Sequence, residues 1–184
     1  MDKAILYHNK QIKFMKYIKI IFAFFIFTNL SFGQLKSPFL INNELFELPG
    51  KWKVNGHLES SGQYSISNKK LNLGLSISVR KIEGFDFYSK DLTEFEFLNK
   101  FYIWEPEYWA KDGGEKVEIE KIEINEAEKY IIWKIVLINK NIENYIFSGV
   151  RNGKLILIDF IDNKKAPKSK EEKIEFLKNI YLKK

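Results

Sequence analysis

Cysteine is absent from this chain of 184 residues, which excludes disulfides, thiolate nucleophiles and cysteine-based zinc or iron–sulfur sites. It also excludes the lipid-bearing cysteine that an exported lipoprotein carries just after its leader. Histidine is nearly absent: there are two, and beyond the first thirty-odd positions only His57 remains. No other ligand stands beside it at metal spacing, so His57 reads as an exposed loop histidine and no metal or cofactor is expected. A Ser–His–acid triad would have to use it, and nothing marks its serine. Glycines form no Gly-x-Ser-x-Gly elbow and no phosphate-loop or dinucleotide pattern. No catalytic residue is therefore assigned.

A one-sided charge is also missing, despite a formal net charge of +6. Up to Gly33 the chain has five lysines and one aspartate, which leaves 25 basic against 23 acidic residues, or +2, for the rest. A nucleic-acid-binding domain would keep a basic stripe, so no nucleic-acid partner is expected. The apolar content is high instead, at 45% hydrophobic and 16% aromatic with four prolines, too apolar for a disordered chain.

The N-terminus reads as a leader. Basic Met15-Lys-Tyr-Ile-Lys19 precedes apolar Ile20–Phe27, and Ser31 and Gly33 make a small-x-small ending, which predicts cleavage before Gln34. The apolar run is shorter than the roughly 20 residues of a membrane span; the alternative is an uncleaved N-terminal anchor. Met1–Phe14 is longer than a signal peptide needs, so Met15 is a candidate true start. The expected product is a single domain over residues 34–184, exported to the periplasm or beyond the cell, with no stable membrane span once the leader is removed. At about 150 residues it buries a sufficient core without staples.

Within that domain, Leu45–Leu48 reads as a short strand ended by Pro49-Gly50, and a weaker strand lies near Gly62–Ser67. Leu71–Val79 alternates apolar and small polar residues, the pattern of a sheet with one face heavily covered and the other lighter. A helix starts near Ser89 or Asp91, with Thr93 and Glu96 as a capping box. Leu92, Phe95, Leu98 and Tyr102 form its stripe with Phe101 beside them, and Pro106 ends it or begins a second turn. Asp112-Gly113-Gly114 reads as a turn. Strands follow at 117–124, 129–138, 145–150 and 154–161, with a type I′ hairpin signal at Asn152-Gly153. The nearly all-apolar strand at 130–138 should be central and covered on both faces. In the charged run 115–123, Val117 and Ile119 should point inward from a solvated strand face. Ser169 and Glu172 cap a last helix whose Ile174, Leu177 and Tyr181 face the sheet. The expected fold class is α+β: an antiparallel β-sheet meander with helices on both faces, an α/β/α sandwich.

The opening Phe46-Glu-Leu-Pro-Gly-Lys-Trp52, the aliphatic strand at 71–79, the mid-chain helix, the meander over 117–161 and the closing helix together resemble the PsbP-like superfamily, which takes in Mog1-like and DcrB-like proteins. The resemblance spans nearly all of the mature chain. It implies the sandwich fold and a mostly non-enzymatic role, as accessory subunit, assembly factor or binding protein, with no catalytic motif to carry over.

One constellation stands out as a candidate binding site. Phe101–Trp109 holds five aromatics in nine residues, more than one helix face needs. Trp104, Tyr108 and Trp109 are candidates for an aromatic pocket or an interface anchor, with Glu105 and Glu107 as an acidic rim; the competing reading puts them in the core. A second acidic pair, Asp159 and Asp162, reads as solvated acids near a strand end. The leading expectation is an exported, non-enzymatic binding or accessory protein with a protein partner or a small ligand. The alternatives are an immunity- or inhibitor-type protein that blocks a partner through the aromatic-acidic patch, and a carboxylate-dependent hydrolase, which would need a deep pocket with a desolvated Asp or Glu.

Overall fold

The computed structural model describes residues 36–59, 61–114, 116–161 and 168–182. The expected leader, its cleavage site and Asp162 lie outside them.

The chain begins with a hairpin that stands apart from the main sheet: β1 (Lys36–Ile41) pairs with β2 (Glu44–Pro49). Only β2 was expected. The turn is Asn42-Asn43 with φ of 47° and 65°, the positive values that a type I′ turn needs and that asparagine tolerates. Next come β3 (Lys53–Leu58), β4 (Gln63–Asn68) and β5 (Leu73–Lys81), then α1 (Glu94–Gly113), β6 (Val117–Asn125), β7 (Tyr130–Leu137), β8 (Ile142–Arg151), β9 (Lys154–Ile161) and α2 (Lys170–Leu182). The main sheet has seven antiparallel strands in the order β3-β4-β5-β9-β8-β7-β6. It is two meanders: α1 carries the chain from one side to the far edge, and the second meander works back until β9 zips onto β5. β9 is therefore the middle strand. β7, expected there, lies one in from the edge, although its Tyr130, Ile131, Ile132 and Trp133 are all buried as its apolar run required.

Side-chain alternation sends two sets of residues to opposite faces. Ile132, Phe147, Ile156, Ile158, Phe160, Leu75 and Ile77 meet α2 and the β1–β2 hairpin, and Ile131, Trp133, Ile135, Val150 and Leu155 meet α1. The α/β/α sandwich follows. On the α2 side the approach is close: a Cβ at Gly149 would stand 2.6 Å from the Tyr181 ring, whose hydroxyl donates to the Val150 carbonyl at 3.1 Å.

Helix α1 starts at the expected capping box. The Thr93 hydroxyl accepts from the Glu96 N–H at 3.2 Å, and the Glu96 carboxylate accepts from the Thr93 N–H at 2.8 Å. Ser89 and Asp91 belong to the turn before it. Thr93→Ala should lower stability by about 1 kcal/mol, read as a lower urea midpoint at unchanged slope; an unchanged midpoint would mean that the cap is idle.

The buried stripe is centred on Phe97, Leu98, Phe101 and Tyr102, so Phe97 joins the expected set and Leu92 lies ahead of the helix. Pro106 does not end α1, which runs on to Gly113 before Gly114 leaves in the left-handed region at φ 61°. Proline removes one backbone hydrogen bond, yet Pro106 is buried inside the helix and the stack of Trp104 on Tyr108 spans it. Two further expectations change. His57 lies on β3, an exposed edge strand, stacked on Tyr64 at 4.1 Å. Ile119 is exposed on edge strand β6, and a bulge between Lys121 and Glu123 turns Ile122 to the opposite core.

Candidate functional site

The C-terminal half of α1 does not pack down onto the sheet. Beneath Trp104, Glu105, Tyr108 and Trp109 lies a cavity of about 430 Å³ whose floor is the α1-facing side of β4, β5, β9, β8 and β7. Strand register explains the gap. One row across the sheet runs Ser76, Asp159, Ile146, Trp133, and the next runs Gln63, Ser78, Leu157, Ser148. On the β4–β5 side these positions hold serines and a glutamine where the opposite face holds Leu75, Ile77 and Val79. The small polar residues of the alternating pattern at 71–79 thus leave space that the helix above does not fill.

The walls are aromatic. Trp104 stacks on Tyr108 with centroids 5.3 Å apart and planes 19° from parallel, and its other contacts are Phe85, Phe87 and Phe101. Two of the three indole N–H groups of the lining are taken up internally: Trp109 donates to the Glu105 carboxylate at 3.0 Å and Trp133 to the Ser148 hydroxyl at 2.8 Å. Gln63 donates to Ser76.

Asp159 is the unusual group. Its Oδ1, like the Ser61 hydroxyl oxygen, is enclosed and has no hydrogen-bond partner among the described residues, while Asp159 as a whole keeps partial exposure toward the cavity it lines. Burial, helped by the charge of Glu105, pushes its carboxyl up to about 7. The Glu105 carboxyl is also raised by burial, against the lowering effects of the Trp109 N–H and of Arg80. Arg80 lines the cavity and rests over the Phe85 ring at 4.4 Å. Among the described residues no group of three or more histidines, aspartates or glutamates is placed to hold a metal ion.

Of the candidate residues, Trp104, Glu105, Tyr108 and Trp109 are brought together in the cavity, while Glu107 is exposed on the outer side of α1. Glu105 therefore forms wall rather than rim. Asp159 is not the solvated acid that its place near a strand end suggested, because alternation along β9 points it under α1 instead of outward. The one signal for this in the sequence is parity: Asp159 falls in step with Leu155 and Leu157, which cover a buried face.

The architecture around this cavity has a solved counterpart. The chain has a PsbP-like fold. The solution structure of cyanobacterial PsbP (CyanoP) from Synechocystis sp. PCC 6803 matches it with a TM-score of 0.54 at 10% sequence identity, covering 79% of this chain and 88% of that one. No family model matches the sequence and no curated protein matches it. At that identity the PsbP likeness concerns the fold, and the cavity has to be read from its own side chains. Among the described residues no helix is long and apolar enough to cross a membrane.

Proposed function

We propose that this chain is an exported, non-enzymatic binding protein that holds a small ligand in the cavity between α1 and the sheet. The observation that carries this reading is the cavity itself: its volume lies in the range of small-molecule sites, and its aromatic walls face a floor of serines, a glutamine and a carboxyl. Its polar floor also includes an oxygen that no described residue satisfies, which a folded chain keeps at a cost. The PsbP-like fold supports an accessory or binding role. Export rests on the leader-like sequence at 15–33.

The test is fluorescence titration with a panel of amines, amino acids and sugars, since Trp104, Trp109 and Trp133 all line the cavity. A saturable change with at least one class, lost or weakened about tenfold or more in Trp104→Ala, is the expected result. A panel without any saturable member would overturn the pocket reading. An inhibitor-type role would then regain ground if a protein partner dissociates on Glu107→Lys.

A second reading has one observation in its favour. A carboxyl raised to about 7 beside another raised carboxyl is the arrangement that hydrolases use to keep one acid protonated. Turnover of a nitrophenyl ester or glycoside, abolished by both Asp159→Asn and Glu105→Gln, would install this reading.

A further inference from the structure

The charges and donors around the cavity narrow the class of ligand. This step rests on the pocket reading. The lining has two carboxyl groups, Asp159 and Glu105, against one guanidinium, Arg80. Arg80 lies over Phe85 and acts on Glu105, and no described basic side chain is paired with Asp159. Trp109 and Trp133 offer faces rather than donors, because their N–H groups are spent on Glu105 and Ser148. An anionic ligand would meet two carboxyls and would find those indole donors already used. A neutral polyol could bond the serines and Gln63 but would leave the acidic excess unbalanced.

We propose that the cavity takes a small organic ammonium ion, primary or quaternary, held between the Asp159 carboxylate and the faces of Trp104 and Tyr108. A cation supplies what the enclosed Oδ1 lacks, by donating an N–H or by direct charge contact. It is also attracted by the ring quadrupoles of tryptophan and tyrosine. Trp104 is held in place by Phe85, Phe87 and Phe101, so its face is ordered before a ligand arrives. The cavity of about 430 Å³ lies in the size range of small-molecule sites. Release of the Asp159 proton on binding completes the charge balance and makes affinity rise with pH through the neutral range.

The experiment pairs each amine with an uncharged molecule of the same shape. The full chain is titrated with choline against 3,3-dimethylbutan-1-ol, and with 2-phenylethylamine against 2-phenylethanol, with tryptophan fluorescence as readout. At least one amine should saturate about tenfold or more tighter than its neutral partner. Asp159→Asn should erase that preference while leaving the weak binding of the neutral partner in place, which also shows that the variant is folded. Carboxyl ¹³C NMR should show the Asp159 titration moving to lower pH when the amine is bound. Equal binding of amine and neutral partner, insensitive to Asp159→Asn, would overturn the cation inference and leave the pocket reading standing. Saturation by neither amine would overturn it too; the pocket reading falls only if the wider panel fails as well.

Discussion

Asp159→Asn should make the protein more stable at pH 8 by about 2–3 kcal/mol and change stability little at pH 4. In the unfolded chain the carboxyl titrates at the ordinary aspartate value of 3.8, and in the fold it is held up to about 7. Between those values the folded state keeps a proton that the unfolded state has released. The contribution of Asp159 is therefore fully present below the lower value, and it is lost as pH rises through the upper one. At about 1.4 kcal/mol per unit the ceiling of the effect is about 4 kcal/mol; partial contact with solvent through the cavity lowers it. Asparagine keeps the shape and stays neutral at every pH, so it leaves the enclosed oxygen as it was and removes only the pH-dependent part. Urea midpoints of wild type and variant at pH 4.5, 6 and 8 test this, with Glu105→Gln as a control for the neighbour whose charge contributes to the shift. Parallel curves would show that Asp159 ionises freely and is solvated after all. A substitution that stabilises the fold and abolishes ammonium preference would mark Asp159 as a residue kept for a ligand at the expense of stability.

Most of the fold was legible because its strongest elements are locally consistent. The capping box at Thr93 and Glu96, the Asn152-Gly153 turn with φ of 52° and 69°, and the box at Ser169 and Glu172 are each written in a few neighbouring residues. Strand β3 was not legible. Lys53–Leu58 is exposed along its whole length and has no apolar alternation; it is held by backbone pairing to β4, which sequence pattern does not record. Strand β1 hides for a different reason. It contains Pro38, which demotes a strand, and its Asn-Asn turn is a weaker hairpin signal than Asn-Gly. Pro106 misled in the opposite sense, since the rule that proline ends helices does not register the Trp104–Tyr108 stack that spans it.

The candidate site was half legible. Aromatic density at 101–109 located one wall, but density alone could not say whether those rings were core or surface. The structure divides them: Phe101 and Tyr102 are buried, Trp104 is intermediate, and Tyr108 and Trp109 are 50% and 36% exposed. The floor was unreadable as a site because its residues come from five strands, and the serines of β5 carry no chemical signature until register sets them beside Asp159. A buried acid is recognised from what surrounds it in space, and here the nearest raised carboxyl, Glu105, is 54 residues away in sequence.

Trp133→Ala should cost about 3–5 kcal/mol, the largest loss expected from any of the cavity aromatics. The ring is fully buried, its edge meets Tyr102 at 5.6 Å with planes 87° apart, and its N–H bonds the buried Ser148 hydroxyl. Truncation leaves a void under α1 and strands the Ser148 oxygen, two penalties that add. Trp109 is the contrast: it is partly exposed and bonded to Glu105 alone among the described side chains, so Trp109→Ala should cost about 1 kcal/mol or less. If the alanine variant at 133 does not fold, Trp133→Phe keeps most of the volume and should still cost about 1–3 kcal/mol through the unsatisfied serine. Urea unfolding of the three variants decides the matter, and a Trp133→Phe midpoint equal to wild type would show that the floor does not depend on that hydrogen bond. The division matters for function. Trp133 fixes the sheet surface on which Asp159 sits, whereas the Tyr108 and Trp109 rings are exposed near the end of α1. Rings of the second kind can shift to admit a ligand without unfolding the first kind. Under the pocket reading, substitutions at Trp109 should therefore change affinity far more than stability, and substitutions at Trp133 should change both together.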